Sequence, residues 1–136
     1  MCGGYLSFAG SGGAAAYAGT PIETALPVTI ARYDDRIEIP EGASPEQTAT
    51  DHRLAQYFDK TWPLFLGYNR VTVRREADLI ASIHGDPFVA ACTTGKGRAL
   101  VWTSDIGPHW VPEGFAQWHG FGKLWINALS WLTGGG

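Results

Sequence analysis

Apolar and polar residues alternate unevenly along this chain, and the pattern predicts short elements. Thr20-Pro21-Ile22-Glu23 reads as a helix start, with Thr20 as cap, Pro21 at the first helical position and Glu23 completing a capping box. Pro27 stops that helix after about one and a half turns. Residues 28–33 and 36–39 alternate around Asp34-Asp35 and predict a hairpin or turn-linked strand pair. Residues 40–51, with Gly42 and Pro45, read as loop, residues 51–58 as a short helix, and 64–68 and 71–73 as strands. The clearest stretch follows: strands over 79–83, 88–93 and 98–103, with Gly85-Asp86-Pro87 as one turn and Thr94-Gly95-Lys96-Gly97 as a hairpin loop. A long loop holds Asp105, Gly107, Pro108, His109, Trp110 and Pro112. In the closing segment Phe121, Leu124, Trp125, Ala128 and Leu132 fall at i, i+3, i+4, i+7 and i+11, the core stripe of a helix over 121–132.

Strands flanked by helices argue for an α/β or α+β protein. A doubly wound sheet needs successive βαβ units of ~30 residues. Only the last strand and helix look like one, so the sheet is expected to be small and mostly antiparallel, or the chain to begin partway through a larger fold. At 136 residues a single domain is expected. With 45% hydrophobic and 17% charged residues the chain can bury a substantial core, which excludes intrinsic disorder. Its net charge of −3 gives no basic excess to track a phosphate backbone, so no nucleic-acid partner is expected. No apolar run reaches the ~20 residues of a membrane span. With no leader-like block read at the start, and with Cys2 and Cys92 too few for a disulfide framework, cytoplasmic placement is expected.

Several segments, taken in order, resemble a bacterial family of cytoplasmic proteins related to class I glutamine amidotransferases and to trehalose-utilisation-like domains. They are Gly3-Gly4-Tyr5-Leu6-Ser7-Phe8, Thr20-Pro21-Ile22-Glu23, Leu26-Pro27-Val28, Asp34-Asp35-Arg36, Pro40-Glu41-Gly42 and Leu66-Gly67-Tyr68-Asn69. Gly95-Lys96-Gly97-Arg98, then Thr103-Ser104-Asp105-Ile106-Gly107-Pro108-His109-Trp110, and the closing Leu124-Trp125 and Trp131-Leu132 complete the set. The resemblance implies a flavodoxin-like α/β fold of which this chain is the C-terminal part, residues 1–136 forming one domain without the fold's N-terminal half. A mixed sheet, a late β-hairpin, a C-terminal helix and self-association into a homo-oligomer are the matching expectations.

Candidate chemistry centres on Cys2, Asp105 and His109. In a class I enzyme a Cys on a strand-to-helix turn attacks the glutamine amide and a His protonates the departing ammonia. His109 follows the last strand, where that His falls. However, the Gly-x-Cys-x-Gly elbow is absent, and residues 109–113 read His-Trp-Val-Pro-Glu rather than His-Pro-Glu. Met-Cys-Gly also matches the start of class II amidotransferases, whose terminal Cys is its own base, but only those residues support it. Cys2 is therefore expected to be a small hydrophobe and the chain to hydrolyse no glutamine. An active amidotransferase using Cys2 and His109, and a non-catalytic structural module, are the alternatives.

Asp105 and His109 lie beyond the carboxyl end of a strand, where open α/β sheets place ligands. The resemblance implies that the Gly3-Gly4-Tyr5 turn lies at the same edge, so Gly3, Gly4, Tyr5, Ser7 and Trp110 are expected to line one pocket with them for a small molecule. The plainer alternative is that Asp105 caps the following turn while His109 and Trp110 pack the loop against the closing helix. His52, His84 and His119 lack ligand spacing, so no metal is expected, and no cofactor. Gly95-Lys96-Gly97 lacks phosphate-loop spacing. The Trp-rich tail is read mainly as core, with Trp110 and Trp118 left as stacking surfaces in the loop.

Overall fold

The computed structural model describes residues 1–49, 51–55 and 61–134. Its elements are α1 (Pro21–Ala25), β1 (Val28–Ile30), β2 (Arg36–Ala43), β3 (Glu46–Gln47), β4 (Phe65–Asn69), β5 (Val71–Val73), β6 (Asp78–Ile83), β7 (Asp86–Thr94), β8 (Gly97–Trp102) and α2 (Phe121–Leu132). Single 3₁₀ turns lie at Ser11–Gly13 and Phe115–Gln117. The main sheet is antiparallel in the order β3-β6-β7-β8, and two-stranded antiparallel sheets β1-β5 and β2-β4 flank it. Beside β8 the first residues run parallel to it: Trp102 N–H donates to Met1 O at 3.0 Å and Gly3 N–H to Trp102 O at 2.8 Å. Among the described residues the result is a mixed α/β architecture closed by a C-terminal helix.

β7 reads as an almost unbroken apolar run because both faces of the sheet are covered. Ala90 and Val101 face a cluster with Phe8, Leu26, Val28 and Val71. Ala91, Leu100 and Trp102 face the larger core, built on Phe65, Phe88, Phe115 and the buried residues Leu124, Ala128 and Trp131 of α2. The alanines of β7 let both layers approach the sheet closely. Trp118 belongs to the same core, stacked on Trp62 at 5.7 Å with its indole N–H on Thr61 O, so its ring is no open stacking surface.

Several elements differ from the sequence expectation. Strands 28–30 and 36–43 form no hairpin. β1 pairs with β5 (Val28 opposite Val73) and β2 with β4 (Ile37 opposite Tyr68). The physical reason is Asp35, whose carboxylate accepts from Ala9 N, Gly10 N and Asn69 Nδ2 and so pulls the intervening segment away from a tight turn. Pro40 to Ala43 continue β2 instead of forming loop, with a register shift between Glu38 and Ala43 and Gly42 at φ 74°. The β6–β7 turn is His84-Gly85, at φ 50° and 82°, which leaves Asp86 and Pro87 inside β7. Residues 51–54 make bends and turns where a helix is expected and Ala55 is 3₁₀-helical; residues 56–58 of that expectation lie outside the described residues. At α1 only half of the capping box forms: Thr20 Oγ1 accepts from Glu23 N, while the Glu23 carboxylate accepts from Gly19 N and Ile30 N, each at 2.6 Å.

No described helix is long and apolar enough to cross a membrane. Burial, reinforced by the 2.6 Å hydrogen bond to Asp86, pushes the Tyr68 phenol up to about 12. The folded state therefore holds this proton more tightly than the unfolded chain, and stability falls as pH rises from about 10 towards 12. Asp35→Ala is expected to cost about 3 kcal/mol or more, because it strands three buried donors. Chemical denaturation checks this; a loss under about 1 kcal/mol would show that the carboxylate does not hold the three segments.

Candidate functional site

Only glycine fits at position 3. A Cβ there would stand 2.0 Å from Thr103 O and 2.7 Å from Asn69 Oδ1. The Gly3 N–H is shared between Trp102 O and Ser104 O, both at 2.8 Å, so the start of the chain is fastened to the exit of β8. Gly4, at φ 139°, then turns the chain outward while its N–H donates to Asn69 Oδ1 at 2.8 Å. Asn69 also donates its side-chain amide to Asp35 and its backbone N–H to Thr103 O. The glycine bend, β4 and the segment after β8 thus meet along one rim.

Tyr5 and His109 face each other across that rim. Asp105 accepts from Val111 N at 3.2 Å and from Trp110 N at 3.1 Å, and His109 Nδ1 stands 3.2 Å from its Oδ2. An ionised carboxylate only accepts, so in the neutral imidazole the proton belongs on Nδ1 and the lone pair on Nε2. Tyr5 Oη lies 2.9 Å from that Nε2 and donates to it, with the rings 4.3 Å apart. Glu38 Oε1 is a second, longer acceptor for the phenol at 3.4 Å, and the Arg36 guanidinium lies over the Tyr5 ring, 4.6 Å from its centre. Tyr5 remains 44% exposed. His109 holds φ 154°, a backbone region few residues other than glycine adopt, and the three contacts made by Asp105 keep the loop in it. Asp105 therefore caps the loop and orients His109, whose ring meets Tyr5 while Trp110 bonds Glu38.

The other expected site residues are placed as follows. Trp110 is wholly buried, its indole N–H on Glu38 Oε2 at 3.0 Å and its ring seated where a Cβ on Gly67 would lie 2.4 Å from Nε1. It forms the floor beneath Tyr5 and offers no open stacking face. Ser7 closes the turn, its N–H donating to Gly4 O at 3.3 Å. Cys2 lies on the parallel rung beside β8 and packs against the main core, and burial pushes its thiol up from the usual value. That is the opposite of the depression an activated nucleophile needs. Beside His109 opens a cavity of about 330 Å³, lined chiefly by Ile106, Pro108, Val111, Pro112 and Phe115, with Glu113 and Gln117 as polar edges. Among the described residues no three His, Cys, Asp or Glu groups are grouped as a metal would require.

The family model for "Putative glutamine amidotransferase", GATase1-like, matches residues 1–134. The chain belongs to this GATase1-like family. Two solved structures are similar throughout: Cytoplasmic Protein STM1381 from Salmonella typhimurium LT2, at 38% identity, and Cytoplasmic Protein STM3548 from Salmonella typhimurium, at 36%. Each has a TM-score of 0.91 and covers 97% of this chain. The chain in turn covers 54% and 53% of them, about half the length of either. No curated protein matches.

In this GATase1-like chain the carboxylate on the histidine comes from four residues before it, Asp105, while Glu113 lies at the edge of the cavity. Sequence reasoning named Tyr5 only as lining and missed Glu38, Arg36 and the Asp35–Asn69 link. A polar Asn at the end of an apolar strand was the one available signal. Nitrogen-15 NMR is expected to show neutral His109 protonated at Nδ1, and Tyr5→Phe is expected to leave that tautomer unchanged while shifting the Nε2 resonance. A dominant Nε2–H form would contradict the network.

Proposed function

We propose that this chain is a glutamine amidotransferase-like protein that binds a small molecule at the strand-end rim, without a working Cys-His-Glu triad. The observation that carries this reading is the commitment of His109: its two ring nitrogens go to Tyr5 and Asp105, while Cys2, partly buried, packs against the core. The mostly apolar cavity beside His109 has a volume at the small end of ligand sites, about 300–1,000 Å³. The parallel rung at residues 1–3 supports a flavodoxin-like arrangement for the complete domain, with this chain as its C-terminal part. Cytoplasmic placement is in keeping with the two Salmonella proteins' names. Self-association is the matching proposal for Ile126 and Leu129, exposed on the outer face of α2.

Glutamine is expected to yield no ammonia above background, and Cys2→Ser to change nothing; thiol-dependent ammonia release would overturn the reading. Crystals soaked with small apolar fragments are expected to show density against residues 106–117, and Ala116→Phe, which fills that cavity, to abolish it. Density elsewhere only, or none, would remove the ligand site. Sedimentation is expected to show a dimer or larger species that Ile126→Lys disperses, and a wild-type monomer would refute self-association.

A further inference from the structure

We infer that Tyr5 is a nucleophile, with His109 as its base and Asp105 holding the base, and that the site hydrolyses small acyl thioesters or aryl esters. The inference rests on the ligand site proposed above and assigns it a reaction. An activated nucleophile is recognised by a base within about 2.6–3.2 Å and a third group that orients the base. Tyr5 Oη, His109 and Asp105 meet that requirement at 2.9 and 3.2 Å. Three features go beyond a structural hydrogen bond. The phenol is exposed although its partners are fixed. The carboxylate is anchored by two backbone N–H groups, which sets the tautomer that leaves a lone pair facing Tyr5. The Arg36 guanidinium, ion-paired to Asp34 at 2.7 Å, lies over the ring, where its positive charge favours negative charge developing on the phenolic oxygen against the Glu38 carboxylate 3.4 Å away.

The substrate class follows from leaving groups. When the phenolic oxygen adds to a carbonyl carbon, its O–H breaks and the proton passes to His109 Nε2. The tetrahedral adduct then expels the weaker base. A phenol has a pKa of about 10 and a thiol about 8.5, so a thiolate, or an aryl oxide made a weaker base than tyrosine by an electron-withdrawing substituent, leaves in preference to Tyr5 and takes the proton from His109. The nitrogen of a carboxamide is a far poorer leaving group than the tyrosine oxygen, so an amide would return to starting material. This agrees with the absence of glutamine hydrolysis proposed for the chain. Water deprotonated by His109 next attacks the acyl-tyrosine, the C–O bond to Tyr5 breaks, and the phenolic oxygen recovers the proton from His109. The products are a carboxylic acid and a thiol or phenol. The neighbouring cavity, with Ile106, Val111 and Phe115 in its wall, suits a short apolar acyl chain.

The test uses the whole chain with p-nitrophenyl butyrate and with the butyryl thioester of N-acetylcysteamine. Release of p-nitrophenol and of free thiol is expected, with a butyryl mass increment on the peptide carrying Tyr5 in acid-quenched samples. Tyr5→Phe and His109→Gln are each expected to lower turnover about 100-fold or more, with unchanged circular dichroism and melting. Cys2→Ser is expected to retain wild-type rates. Turnover that survives Tyr5→Phe, an acyl group found on Cys2 or a lysine instead, or no turnover of either ester would overturn the inference. If fragments still bind against residues 106–117 under any of these outcomes, the ligand site stands and only the tyrosine chemistry fails.

Discussion

The carboxylate of Asp35, at 2% exposure, accepts hydrogen bonds from Ala9 N, Gly10 N and the Asn69 side chain at 2.8–2.9 Å. A charge taken out of water this far is tolerated only when its oxygens are satisfied, so those three donors must stay where they are. The donors come from two segments far apart in sequence, the loop after the glycine bend and the end of β4, and the carboxylate itself stands at the entry to β2. Asn69, itself fully buried, passes the constraint on through its Oδ1 to Gly4 N and through its backbone N–H to Thr103 O. The bend, the flanking sheet and the exit of β8 are therefore tied by one buried polar chain. Because every member of that chain is paired, it specifies a single arrangement.

The rim inherits its order from this clasp. Tyr5 follows the glycine bend directly, and His109 sits on a loop whose first polar anchor, Asp105, comes straight after the β8 exit. Trp110, buried beneath Tyr5 and held by Glu38 from β2, joins the two sides from below. Tyr5 is an exposed group on a bend whose base is fixed elsewhere, while His109 is held by Asp105 within a loop that leaves the β8 exit, so a rigid scaffold presents both side chains.

The parts legible in the sequence were those governed by local pattern. The span of α2 follows from its 3.6-residue stripe, the β7–β8 hairpin from Gly95 and Gly97 between apolar runs, and the start of α1 from Thr20 and Pro21. The pairing of β1 and β2 was not legible, because residues 28–39 look like a hairpin until the buried fate of Asp35 is known, and burial of a single carboxylate leaves no periodic trace. The β6–β7 turn was misplaced because Pro87 reads as a turn residue, whereas here His84 and Gly85 supply the two positive φ angles. Asp105 with His109 was visible as a pair four residues apart. Tyr5 was expected on the same rim through the family resemblance, but its direct contact with His109 was not legible, since 104 residues separate the two and the parallel rung beside β8 brings them together.

Native-state amide exchange at Gly4, Ala9 and Gly10 tests the clasp most directly. If Asp35 and Asn69 hold the bend against the β8 exit, these three amides exchange only through global unfolding, with the same free energy as the amides of β7. Exchange of the three at a free energy well below that of β7 would mean that the bend opens on its own, and that the Tyr5–His109 contact is not a fixed feature of the fold.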